Sequence, residues 1–117
     1  MSVDQIVKKA PSVISNAGFI ILYTIDLSLI MKEQLGLDLK QYMIVGVSSP
    51  ATSNRMLEID QNAGLLIPSN IVIYETTAAT VIGTIRPTVV LSVLNNDLLK
   101  ETALLIENKL KDIIDSL

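Results

Sequence analysis

The densest set of chemistry-bearing side chains in this sequence is a run of hydroxyls, Ser48, Ser49, Thr52 and Ser53, just after Gly46. Ser49 and Pro50 read as the cap and first residue of a helix. Free backbone N–H groups and the positive end of a helix dipole favour an anion at such a place, and serine hydroxyls add donors. The plainer alternative is that the serines only cap the helix. No Gly-x-x-x-x-Gly-Lys loop is present, so the segment is not a P-loop. A second pair, Ser69 and Asn70, follows Pro68 between the apolar residues 65–67 and 71–73. Its polar groups point either into a cleft or back onto their own turn. Arg86, one of two arginines with Arg55, precedes Pro87 at a strand end. It suits a bidentate grip on carboxylate or phosphate, or a rim salt bridge.

The ligand-binding candidates are therefore Ser48, Ser49, Thr52, Ser69, Asn70 and Arg86. Among the carboxylates, Glu58 and Asp60 stand two apart on a helix and face different ways. Asp26 suits a cap and Glu75 a strand end, so no spacing selects a pair for acid–base work. Met31, Met43 and Met56 read as core filler. No catalytic residue, metal site or cofactor is assigned.

What is missing narrows the chemistry further. The chain has no histidine, cysteine or tryptophan. Histidine-based proton transfer, thiol nucleophiles and thiolate or imidazole metal ligands are excluded, as are Ser-His-Asp and Cys-His arrangements within one chain.

The 117 residues fit one domain, residues 1–117, which should bury roughly 65% of its unfolded surface. Hydrophobic residues make up 50%, charged residues 18%, and mean hydropathy is +0.50. A small globule of this balance cannot hide all its apolar surface, so a homodimer is expected. No apolar stretch approaches the ~20 residues of a membrane span, and no secretory signal is read, so a cytoplasmic location is expected. Net charge −3, scattered basic residues and 3% aromatics argue against nucleic acid.

The elements that must position these groups follow from periodicity. Val3, Ile6, Val7, Ala10, Ile14 and Ala17 recur at helical spacing up to Gly18, with Pro11 either kinking the helix or marking its start. Residues 19–25 read as a buried strand, and Asp26 caps a short helix closed by Gly36. Residues 41–47 form the second strand, and the helix from Pro50 should run to about Asn62 with Gly64 as its stop. Residues 65–68 read as an apolar loop. Residues 70–76 and 80–85 suit an antiparallel hairpin. Asn95 or Asn96 caps a last helix whose Leu99, Ala103, Ile106, Leu110, Ile113 and Leu117 form a stripe, widened by Leu98, Leu104, Leu105 and Ile114. Glu107 and Lys111 are placed as a pair on its wet side. The order α-β-α-β-α-β-β-α predicts an α+β two-layer sandwich, with one mixed or antiparallel sheet of about four strands packed by helices.

With these segments in order, the chain resembles the domain of unknown function 302 family of small bacterial and archaeal proteins. The resemblance rests on GFIILYTID (18–26), the Ser-Ser-Pro step at 48–50, GLLIPSNIVIYE (64–75) and IRPTVVLSVLNN (85–96), and covers the chain from about Val3. It implies a compact β-α-β(4)-α fold, often dimeric, and no established activity. Many members open with a strand before the first helix, and here that strand is expected to be absent. Its absence would leave a sheet edge for a helix or a second copy to cover. Many also carry cysteines at the positions of Ser48 and Ser69, so a thiol, redox or metal role does not transfer. The resemblance further implies that Ser48 and Ser69 lie close together on one pocket.

Three functional readings result. The first is a domain that binds a small molecule or anion near a helix N-terminus. The second is a dimerisation or protein-interaction module. The third is an enzyme working through carboxylates and hydroxyls alone, or one completed by a cofactor.

Overall fold

Helix α1 (Val3–Asn16) opens on a capping box. Ser2 Oγ accepts from the Gln5 N–H at 3.2 Å, and Gln5 Oε1 accepts from the Ser2 N–H at 2.8 Å. Two donors that a helix start leaves free are thereby satisfied. Val3, Ile6, Ala10 and Ile14 form its buried stripe. Pro11 neither starts nor stops the helix. It sits exposed in mid-helix, and lacking an N–H it leaves the Val7 carbonyl without its usual partner. The chain leaves α1 through Gly18 at φ +80°, with N–H bonds from Gly18 to the Ser15 carbonyl and from Phe19 to the Ile14 carbonyl. That left-handed exit is why a glycine stands there.

The computed structural model describes residues 1–117. Four strands, β1 (Ile20–Asp26), β2 (Tyr42–Ser48), β3 (Ser69–Glu75) and β4 (Thr80–Thr84), pair in the order β1-β2-β3-β4. Every pairing is antiparallel, which decides between the mixed and antiparallel sheets expected from sequence. Helices α2 (Leu27–Leu35) and α3 (Pro50–Ile59) lie between strands without making parallel crossovers. α2 buries no residue at all, so no apolar stripe pulls it across the sheet. It is held instead at its ends, by the Asp26 carboxylate accepting from the Leu29 N–H at 2.9 Å and by Gly36 at φ +68°.

Met43, Val45 and Val47 pair with Ile73, Ile71 and Ser69, and Ile71 and Ile73 pair in turn with Thr84 and Ile82. These residues define the inner face of the sheet. Val45, Val47, Ile71 and Ile73 join one buried cluster with the α1 stripe, Met56 of α3 and the stripe of helix α5 (Lys100–Ser116). Leu99, Ala103, Ile106, Leu110 and Ile113 are buried as expected, and Leu117 packs against them. Leu98, Leu104 and Leu105 stay exposed.

The structure corrects the sequence reading at five places. β1, expected to be a buried strand, is an edge strand on which Ile20 and Leu22 are exposed. α3 ends at Ile59, because Asp60 accepts from the Asn62 N–H at 2.8 Å and starts a 3₁₀ turn, Gln61–Leu66. Gly64 lies inside that turn and does not stop α3. Pro87–Val90 forms a short helix, α4, and Leu91–Val93 a further 3₁₀ turn, where the sequence showed only an apolar stretch. Asn96 caps the 3₁₀ turn Asp97–Leu99, which leads directly into α5. Glu107 does not pair with Lys111. It accepts from the Thr88 N–H at 3.2 Å and hydroxyl at 2.5 Å, tying α5 to α4, while Lys111 meets Asp115 at 3.7 Å. No strand precedes α1, and β1 and β4 are the sheet edges. No helix is long and apolar enough to cross a membrane.

Candidate functional site

The hydroxyls at the start of α3 bond to one another. Ser48 Oγ and Ser53 Oγ are 2.6 Å apart, and Ser49 Oγ donates to Thr52 Oγ1 at 3.0 Å. Ser49 holds the cap position, but its side chain accepts no backbone N–H. The first-turn amides are therefore left without a side-chain partner.

Ser69 and Ser48 are not brought onto one pocket. Ser69 pairs with Val47 and sits on the inner face, whereas Ser48 is the next residue along β2 and projects to the other side. Ser69 and Thr84 border a small recess between the Gln61–Leu66 turn and α4, and Ser48 does not line it. Asn70 pairs with Gly46 and belongs to the outer face. Its Oδ1 accepts a hydrogen bond from the Tyr23 hydroxyl, and its carbonyl accepts from Thr84 Oγ1 at 2.7 Å. Arg86 is exposed at the start of α4 and lines a separate cleft between α4 and α5. It forms no salt bridge, so the rim ion pair considered for it is not made. The three ion pairs are Lys32–Asp38, Lys40–Glu75 and Lys111–Asp115.

The four carboxylates weighed from the sequence, Asp26, Glu58, Asp60 and Glu75, are individually engaged. Glu58 accepts from Asn54, Glu75 faces Lys40, and Asp60 accepts from Asn96 Nδ2 at 3.1 Å besides capping its turn. No three acidic side chains converge. Asp26 has its carboxyl held below the ordinary value of 3.8. The Ser28 hydroxyl at 2.6 Å is the main cause, with the Leu29 amide second. Both bonds favour the charged form, as a helix cap requires.

The other face of the sheet carries a further apolar surface that no single segment of the sequence points to. On the outer face, Tyr23 pairs with Gly46, Ile25 with Ile44, Ile44 with Val72, and Tyr42 with Tyr74. Val81 of β4 continues the row beside Tyr74. The Tyr42 and Tyr74 rings stack at 5.0 Å with 5° between their planes. The Tyr23 ring lies over Gly46, where a β-carbon would come within 2.6 Å of ring atom Cε2. All three tyrosines of the chain share this face, and it carries no charged side chain between β1 and β4. None of its apolar side chains joins the buried cluster. The signal was present in the sequence: β2 and β3 are apolar on both alternations, and a strand of that kind needs cover on both sides.

The family model described as domain of unknown function DUF302 matches residues 1–117. The chain is similar in structure to an uncharacterized conserved DUF302 protein from Bacillus stearothermophilus, solved by crystallography. The TM-score is 0.92 at 26% sequence identity, covering 98% of this chain and 90% of that one. No curated protein matches.

Proposed function

The chain belongs to the DUF302 family, and from that premise we propose that it is an interaction module whose open sheet face is covered by a second copy of itself. The observation that carries this reading is the half-buried outer face of Tyr23, Ile25, Tyr42, Ile44, Val72, Tyr74 and Val81, none of which joins the buried cluster. A sheet face of this composition is stable when packed against another layer, and here α1 and α5 serve only the inner side. An uncharged face is self-complementary, so a two-fold axis can pair it with its own copy without setting like charges together. Four strands and about six residues give a face of roughly 19 by 20 Å, or about 400 Å². A stable interface uses about 800 Å² per partner. α2, packed beside β2, offers exposed Leu29 and Ile30 to extend it.

Intrinsic fluorescence reads this face directly, because the chain has no tryptophan and its three tyrosines all lie there. Acrylamide quenching of tyrosine emission should be weak at high protein concentration and rise on dilution. Quenching independent of concentration would contradict the proposal.

A second reading, an anion at the start of α3, is supported by the uncapped first-turn amides. Inorganic phosphate would then raise the melting temperature with a saturating dose dependence, and a flat response would dismiss it.

A further inference from the structure

We propose that the recess between the Gln61–Leu66 turn, α4 and the adjoining ends of β3 and β4 binds a small uncharged molecule with an apolar body and one hydrogen-bonding head. The recess has a volume of about 200 Å³. Leu65, Leu66, Pro87 and Val90 wall it, Ser69 and Thr84 supply its hydroxyls, and no charged side chain lines it. Register places Ser69 and Thr84 on the inner side of β3 and β4, so both reach the same space. Thr84 donates its proton to the Asn70 carbonyl, which leaves its oxygen free to accept. Ser69 has no partner within the chain, and no polar side-chain atom is sealed off without one, so its hydroxyl stays accessible to donate and to accept. Together they can satisfy one hydroxyl, carbonyl or amide.

Size and charge set the ligand class. A recess of about 200 Å³ is below the roughly 300–1,000 Å³ that enclose a drug-sized ligand and near the ~150 Å³ that hold a benzene ring, so it encloses a single ring-sized body. An ion there would lose its hydration without gaining a counter-charge. Arg86, the nearest cation in sequence, lines the cleft on the far side of Pro87. Leu65 and Ile85 at the mouth are 72% and 68% exposed, so an apolar body arriving there covers surface now wet. This inference does not rest on the sheet-face proposal: Ser69 and Thr84 face the inner side of the sheet, and Asn70 is the one outer-face residue that also borders the recess.

The test is a titration of the intact chain, followed by amide chemical shifts, with cyclohexanol and with cyclohexylammonium. The two match in size and differ in charge. Cyclohexanol should give saturable shifts at Leu65, Ser69, Thr84 and Val90, and cyclohexylammonium should bind at least about tenfold more weakly. Ser69→Ala should weaken cyclohexanol by about three- to tenfold. Val90→Phe, which fills the recess, should abolish the saturable shifts. Leu65→Trp at the exposed mouth gives the same readout if Val90→Phe does not fold. Shifts that rise linearly without saturating, equal response to both probes, or saturable binding unchanged in the filled variant would each overturn the proposal.

Discussion

Gly46→Ala isolates the contact on which the outer face is built. A β-carbon at this position would sit 2.6 and 2.7 Å from Cε2 and Cε1 of Tyr23, and closer still to Cζ. The glycine is buried and has no positive φ, so the ring is the nearest obstacle to a methyl group. Tyr23 cannot yield freely, because its hydroxyl is bonded to Asn70 across β2. Overpacking of this kind costs about 1–3 kcal/mol. Once the ring is removed by Tyr23→Ala the sign should reverse, since alanine in a strand is about 0.5–1 kcal/mol better than glycine. The double-mutant cycle should therefore show a coupling of about 1.5–4 kcal/mol. The assay is urea unfolding of the four proteins by far-UV circular dichroism at one protein concentration. Additivity to within about 0.5 kcal/mol, the behaviour of independent sites, would refute the seating of Tyr23 on Gly46.

Other outcomes follow from single residues. Pro11→Ala should raise the unfolding free energy measured in urea, by up to about 3 kcal/mol, because α1 already runs through an exposed proline that breaks its ladder. Ile73→Ala, at 0% exposure in the core, should cost about 2–5 kcal/mol in the same assay. Asp26→Ala should cost about 1 kcal/mol at neutral pH through loss of the α2 cap. Asp26 has a lowered folded-state pKa, so its contribution is complete above the ordinary value of 3.8 and is lost as pH falls through the depressed value. Wild type and Asp26→Ala should converge in stability over that acid range and separate above it, as read from midpoints measured across pH.

Much of the fold was legible because local chemistry and tertiary packing agree. The α1 and α5 stripes, the Asp26 cap and the Gly18 and Gly36 exits are each set by residues within one turn. The misread stretches are those where a polar side chain acts across the chain. Asp60 ends α3 and also reaches Asn96, and Glu107 leaves its helix neighbour for Thr88 of α4. Neither partnership has a sequence period. The candidate site is less legible, because it depends on how the strands pair and not on alternation within any one of them. Val47 opposite Ser69 separates Ser69 from Ser48, although each serine was placed on or beside its strand. The same alternation gathers Tyr23, Tyr42 and Tyr74, which lie far apart in sequence, onto one surface.

Sedimentation equilibrium of the wild-type chain and of Val72→Lys tests the central claim most directly. Val72 is half-buried at the middle of the open face, between Ile44 and Gly83. A lysine there keeps its stem against the sheet and sets a charge where the second copy would pack. The account predicts a wild-type dimer at micromolar concentration and a Val72→Lys monomer with unchanged circular dichroism. A monomeric wild type over the whole range, or a Val72→Lys protein that dimerises as tightly, would contradict it.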